Sequence, residues 1–274
     1  MCRKINPVFL TAHVNTCLSD NQIFFSDSKE KKVFSTGLCF LLLQLFRPGF
    51  SALIIFLLFF SSSGMASGQS IRFRAFFGKE PVEWDNKVFR SAAGETFRFS
   101  QLAFYLSDFS WYGDEGQILH ESGRVELLKA DSEQDSMQIR ATGKAKRLCF
   151  RLGLDSATQV SGETRGPLDP ALGMYWAWNT GYIQCKLEGV SSASGGKNGQ
   201  FEFHLGGYRS PCPTDFPVCL SFAEAYRNQE IRLNLKPLMD AVSLKKNWSV
   251  ISPGEQANRM VQIIANAFET AETK

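Results

Sequence analysis

"FRFSQLAFYLSDFSW" (residues 97–111) reads as one long strand with a change of step inside it. Phe97 and Phe99 fall on one face at a period of two, whereas Leu102, Phe104 and Leu106 fall on the other. Such a switch near Ser100–Gln101 predicts a bulge or bend in a long strand. An amphipathic helix would space its apolar residues by three and four, so this stretch places the chain among β proteins.

Shorter segments on either side repeat the alternation. "IRFRAFF" (71–77) sets Ile71, Phe73, Ala75 and Phe77 against Arg72 and Arg74. Further strands are predicted at "RVELL" (124–128), "MQIRA" (137–141), "RLCFRLGL" (147–154), "GYIQCKLEG" (181–189), "QFEFHLG" (200–206), "VCLSF" (218–222) and "EIRLNL" (230–235). Loops such as "SSASGGKNGQ" (191–200) separate them. The fold class expected is all-β, an antiparallel β-sandwich with a C-terminal α-helix. That helix is read over 252–272, where Met260, Ile263, Ile264, Ala267 and Phe268 recur at helical spacing. Ser252 is its expected N-cap, Pro253 its first residue, and Glu255 sits where a capping box wants an acid. There is no internal repeat and no linker, so residues 69–274 count as one domain.

Residues 1–68 read as a leader, with a hydrophobic region at 33–68. Lys29, Lys31 and Lys32 precede it, "FSALIIFLLFF" (50–60) forms its apolar core, and small residues around Ala66–Gly68 suit cleavage. Arg47-Pro48 interrupts the run, whereas a membrane anchor needs about 20 unbroken apolar residues. The expected location is therefore periplasmic or secreted. The leader holds six of the 30 Lys/Arg and three of the 27 acids, which leaves the remainder balanced at 24 of each. A neutral body with no basic run gives no electrostatic reason to bind nucleic acid.

Cys149, Cys185, Cys212 and Cys219 follow the leader, an even number for an oxidising compartment. Cys212 and Cys219 bracket "CPTDFPVC", a loop that a disulfide could close. Alternation puts Cys149 opposite Leu148, Phe150 and Leu152, while Cys185 shares the face of Ile183 and Leu187. Those two cysteines face different layers and cannot bridge without a break in register. No zinc-type cysteine spacing is present.

The stretch from 153 to 208 carries a resemblance. "GLDSATQVSG" (153–162), "GPLDPALGMYWAWNTGYI" (166–183), "KLEG" (186–189) and "FHLGGY" (203–208), with "LAFYLSDFSW" (102–111) upstream, resemble the MbnP-like family. These are secreted bacterial proteins associated with methanobactin and copper handling. The resemblance spans nearly the whole chain after the leader. It implies a periplasmic β-sandwich that binds copper, with a di-heme partner enzyme of the MauG type that can oxidise a tryptophan to kynurenine. Kynurenine's aniline nitrogen and carbonyl can ligate copper beside histidine, whereas an indole offers only a donor N–H. Trp176 and Trp178 lie in the shared motif and are the candidate modified residues; His204 is the candidate metal ligand. The chain also departs from the family. Many members carry histidine in or after the first strand, where this chain has "FRAFFGKE" (73–80). After the leader only His120 and His204 occur, and one imidazole makes a weak copper site.

Each candidate also has a structural reading. His204 suits a ring that fixes the chain by hydrogen-bonding a carbonyl or carboxylate. Trp176 and Trp178 share a strand face if their segment is extended, and suit a cap on one end of a sandwich core. Asp155, Asp169 and Glu188 suit acceptors of backbone N–H groups in tight turns. No GxSxG, HExxH or phosphate-binding loop occurs, which points away from an enzyme. The expectation is an exported, non-enzymatic, copper-associated binding protein. The alternative is a metal-free sandwich that recognises protein or glycan through exposed aromatics.

Overall fold

The computed structural model describes residues 70–271 apart from 134–135, 141–144, 179–180, 210 and 223–229. The leader expected over 1–68 lies outside the described residues. The described chain is mostly strand. In order it forms β1 (Ser70–Phe77), β2 (Glu80–Pro81), β3 (Phe89–Arg90), β4 (Thr96–Tyr112), β5 (Ile118–Ser122), β6 (Glu126–Asp131), β7 (Ser136–Arg140) and β8 (Arg147–Leu152). Then come helix α1 (Ser156–Val160), β9 (Tyr175–Trp176), β10 (Gly181–Ser191), β11 (Gln200–Gly206), β12 (Phe216–Ser221), β13 (Glu230–Asn234) and α2 (Lys236–Ala241). The order closes with β14 (Ser249–Val250), α3 (Glu255–Ala265) and β15 (Phe268–Thr270).

These strands make two sheets. The smaller runs β15-β13-β1-β2, with β7 also on β1; the larger runs β12-β8-β4-β10-β11-β14, with β3, β5 and β6 on β4 and β9 on β10. Both are mixed, which corrects the purely antiparallel expectation: β1 runs parallel to β13, and β11 runs parallel to β14. Alternation tells which side chains are buried, but it does not encode the direction of a neighbouring strand.

The long strand β4 is the spine of the larger sheet, and its expected bulge is present. Gln101 lies opposite Glu188 and Phe99 opposite Gly189, so Ser100 is the extra residue. A second irregularity, which alternation from Phe97 to Leu106 did not reveal, lies between Ser107 and Ser110. Asp108 takes a left-handed φ of 53°, a conformation aspartate tolerates better than most residues. The two bulges keep Phe97, Phe99, Leu102, Phe104, Leu106, Phe109 and Trp111 all in the core between the sheets. Without them a straight seventeen-residue strand would turn half of these rings to solvent.

Phe73 of the smaller sheet meets Phe104 and Phe150 of the larger one edge-on, at ring separations of 6.5 and 6.0 Å. A second cluster lies on the opposite face of the larger sheet. There Ala103, Tyr105 and Ile183 are covered by Leu154, Leu168, Met174 and Trp176 from the connection between β8 and β10, together with Tyr182 at the start of β10. The larger sheet is therefore buried locally on both faces.

The C-terminal helix is shorter than the pattern predicts. It spans Glu255–Ala265, its N-cap is Gly254, and no side chain caps it, so the capping roles expected of Ser252 and Glu255 are not realised. Met260 and Ile264 face the core as expected, with Ile263 partly buried. Phe268 leaves the helix and enters β15, opposite Leu233 of β13. Its ring sits 5.5 Å from Phe150 and 5.9 Å from Phe104, so sheet pairing and core packing together outweigh another helical turn.

Candidate functional site

The connection from β8 to β10 is pinned to the sheet by buried side chains. Gln184 of β10 is wholly buried and pairs like a strand with Leu154: its Oε1 accepts from the Leu154 N–H at 2.7 Å and its Nε2 donates to the Leu154 carbonyl at 2.9 Å. Asp155 caps α1 by accepting from the Thr158 N–H at 2.7 Å, and this bond holds its carboxyl below the usual aspartate range. Gln159 of α1 accepts from the Tyr182 N–H at 2.9 Å. The Tyr182 hydroxyl is shared between the carbonyls of Glu163 at 2.6 Å and Leu168 at 3.0 Å. Asp169 accepts from the Ala171 N–H at 2.9 Å. Asp155 and Asp169 thus play the turn-fixing role expected of them.

Tryptophan placement differs from the expectation. Strand β9 stops at Trp176, so the two indoles do not share a strand face. Trp176 is 6% exposed and belongs to the second cluster rather than to an end of the core between the sheets. Trp178 is 65% exposed, and its ring lies over that of Trp176 with centroids 5.5 Å apart and planes 42° apart. Trp176 rests on Gly206 at the end of β11. A Cβ there would come within 2.7 Å of the indole and 2.8 Å of the Tyr182 carbonyl. Gly206→Ala should therefore cost roughly 1–3 kcal/mol, the usual range for overpacking, and shift tryptophan emission to the red as Trp176 lifts away. Unchanged stability and emission would show that Trp176 is not seated on this glycine.

His204 lies two residues before Gly206 on β11, and therefore on the same face of the sheet and about 7 Å along it. Phe201, Phe203 and Leu205 point the other way into the core, as the alternation predicts. The His204 Nε2 is 2.7 Å from Oε1 of Glu188 on β10, and the same oxygen receives Lys186 Nζ at 3.2 Å. Register creates this triad, because Lys186 lies opposite His204 and Glu188 opposite Glu202. The bond from His204, followed by Lys186, holds the Glu188 carboxyl below the usual glutamate range. Glu188 is thus an ion-pair partner and not a turn acceptor. A carboxyl with a depressed folded-state value contributes stability above the ordinary value near 4.5 and loses it as pH falls through the folded one. Glu188→Gln should lower stability by about 1 kcal/mol at pH 7, with the difference shrinking below pH 4 in acid titrations of the melting temperature. A difference that persisted unchanged into acid would contradict this.

His120 is on β5, opposite Trp111 of β4, and is exposed. It does not join His204. No cluster of three or more His, Cys, Asp or Glu able to hold a metal ion occurs among the described residues.

The cysteines pair differently from the expectation. Cys149 is bonded to Cys219 directly across β8 and β12, and the pairing of Cys212 with Cys219 is thereby corrected. Both partners face away from the core on adjacent strands, as the alternation of "VCLSF" already implies for Cys219. Cys212 is a free, half-buried thiol. Cys185 is free and fully buried, and burial pushes its thiol up to about 12, so it offers no thiolate at neutral pH. A register shift between Ile183 and Cys185 turns Ile183 to the outer cluster and Cys185 to the core, so the two do not share a face.

The profile of the MbnP family matches residues 66–258, which is well over half of the chain. The chain belongs to the MbnP family. Among solved structures it is similar to MbnP from Methylosinus trichosporium, at 16% identity and a TM-score of 0.48, over 65% of this chain and 78% of that one. No curated protein matches. The matched MbnP region contains the disulfide, the outer cluster, Trp176, Trp178 and His204. Where histidine is expected after the first strand of the MbnP pattern, this member has β1 and β2 with no histidine. No helix among the described residues is long and apolar enough to cross a membrane.

Proposed function

We propose that this chain is an exported, non-enzymatic, copper-associated binding protein. Its Trp176–Trp178 pair would be the place where a di-heme oxidase of the MauG type acts, with kynurenine as the product. One observation carries the reading: Trp176 rests on Gly206, two residues beyond His204 on the same face, with the ring of Trp178 tilted against it. Membership of the MbnP family supports the copper association, and the Cys149–Cys219 disulfide agrees with an oxidising compartment.

The encoded donors are few for copper. His204 supplies one imidazole, and the indole N–H groups are donors only. An oxidised tryptophan would add the missing ligands. Glu188 would then act as the orienting carboxylate behind a metal-bound histidine, since its bond to Nε2 leaves Nδ1 as the nitrogen available to a metal. Trp178, being exposed, is the ring a docking oxidase can reach.

The test produces the chain with its own leader, with and without a di-heme oxidase. Copper stoichiometry and intact mass are then measured. Tightly bound copper only after co-production, with the mass change of kynurenine at Trp176 or Trp178, is the expected result. Glu188→Gln should weaken that copper binding by about 10–100-fold. No copper and no mass change in either preparation would overturn the proposal. It would favour the second reading, a metal-free module that recognises protein or glycan through Trp178, for which the shortage of donors and the exposed indole speak.

A further inference from the structure

The face of the larger sheet that carries His204 also carries the charges that decide what its imidazole can do. Lys186 stands directly opposite His204, and Glu188 directly opposite Glu202, across β10 and β11. Lys186 Nζ and His204 Nε2 meet the same Glu188 oxygen, at 3.2 and 2.7 Å. The side chains of Lys186, His204 and Glu188 are only 18%, 19% and 31% exposed, so salt screens their charges less than on an open surface. Glu188 therefore has its charge balanced by the lysine before any ion arrives. Glu202, the other acid on this face, accepts from the Ser249 hydroxyl at 2.9 Å. A carboxylate only accepts, so Nε2 carries the proton and Nδ1 is the nitrogen left for a metal. An ion approaching Nδ1 meets one neutral donor, a carboxylate already in use and an ammonium held beside it. Repulsion from that ammonium is twice as large for a dication as for a monocation. The encoded residues of this face do not fit copper(II). His120, by contrast, is exposed on β5, away from this triad.

We propose that Lys186 closes the His204 face to divalent cations in the chain as synthesised, before any tryptophan is oxidised. Lys186 is thus a specificity-determining residue of that face rather than a surface ion-pair partner alone. This inference rests on the reading of His204 as the ligand of the mature protein.

The test uses the full chain, produced without a di-heme oxidase and freed of metal, with histidine ring signals followed by NMR as copper(II) is added. His120→Gln and His204→Gln assign the two signals. Paramagnetic broadening should reach the exposed His120 first, with His204 needing about fivefold more copper or above. Lys186→Met keeps an unbranched apolar stem and removes the charge. It should bring His204 to broadening at a copper concentration lower by about fivefold or more, with His120 unmoved. Lys186→Gln is the second neutral variant and decides if the first does not fold. Broadening of His204 before or together with His120 in the parent would overturn the proposal. So would neutral variants whose His204 signal responds no earlier than the parent's. Neither expectation involves an oxidase or kynurenine, so this proposal and the proposed function fall to different results.

Discussion

Replacing Phe73 by alanine should lower the free energy of unfolding by about 3–5 kcal/mol, among the largest effects available to one substitution in this chain. The ring has no exposed surface and makes edge-on contacts with three others: Phe104 at 6.5 Å, Phe150 at 6.0 Å and Phe268 at 6.4 Å. Phe104 and Phe150 belong to the larger sheet and Phe268 to the smaller, so a single side chain ties both sheets to the C-terminal strand. Alanine leaves a void surrounded by rings held on paired strands, which limits collapse. Urea denaturation should show the midpoint falling with an unchanged slope. A loss below about 1 kcal/mol would mean that the neighbouring rings refill the space and that the two sheets do not depend on this contact.

The second large effect concerns the disulfide. Cys149 and Cys219 are 70 residues apart, and closing a loop of that size is worth about 4 kcal/mol in the chain-entropy description. The double variant Cys149→Ser/Cys219→Ser should melt well below the parent, and adding reductant should lower the parent toward it without moving the variant further. Cys212→Ser should leave the melting temperature close to that of the parent. This comparison separates the observed pairing from one between Cys212 and Cys219. Destabilisation by Cys212→Ser equal to that of the double variant would refute the assignment.

Much of the strand content is legible without coordinates. "IRFRAFF" is β1, "RLCFRLGL" contains β8, "QFEFHLG" lies within β11, and the bulge near Ser100 is present at the expected place. The second bulge was also within reach, since Leu106 is followed by Phe109 and Trp111 on the opposite parity. Aspartate as the residue that adopts a left-handed φ was its local signal. The C-terminal pattern misled, because Phe268 fits a helical spacing and a strand equally well until Leu233 is found beside it. The candidate site was half legible. The motif residues Trp176, Trp178 and His204 could be named, but nothing in their order showed that Trp178 is exposed while Trp176 is buried. Gln159 and Gln184 gave no signal, because a glutamine that completes a buried network looks like any surface glutamine.

By itself, then, the sequence determined which side of the regular strands such as β1, β8 and β11 is apolar, the first place where β4 breaks step, and that Cys149 faces outward. These follow from a period of two set by the backbone of each segment alone. Tertiary structure decided what lies beside what: β13 parallel to β1, Cys149 rather than Cys212 against Cys219, Glu188 beside His204, and Gly206 under Trp176. Adjacency between residues far apart in the chain is fixed by loop closure and by packing summed over the whole core, and no local window of residues contains that sum.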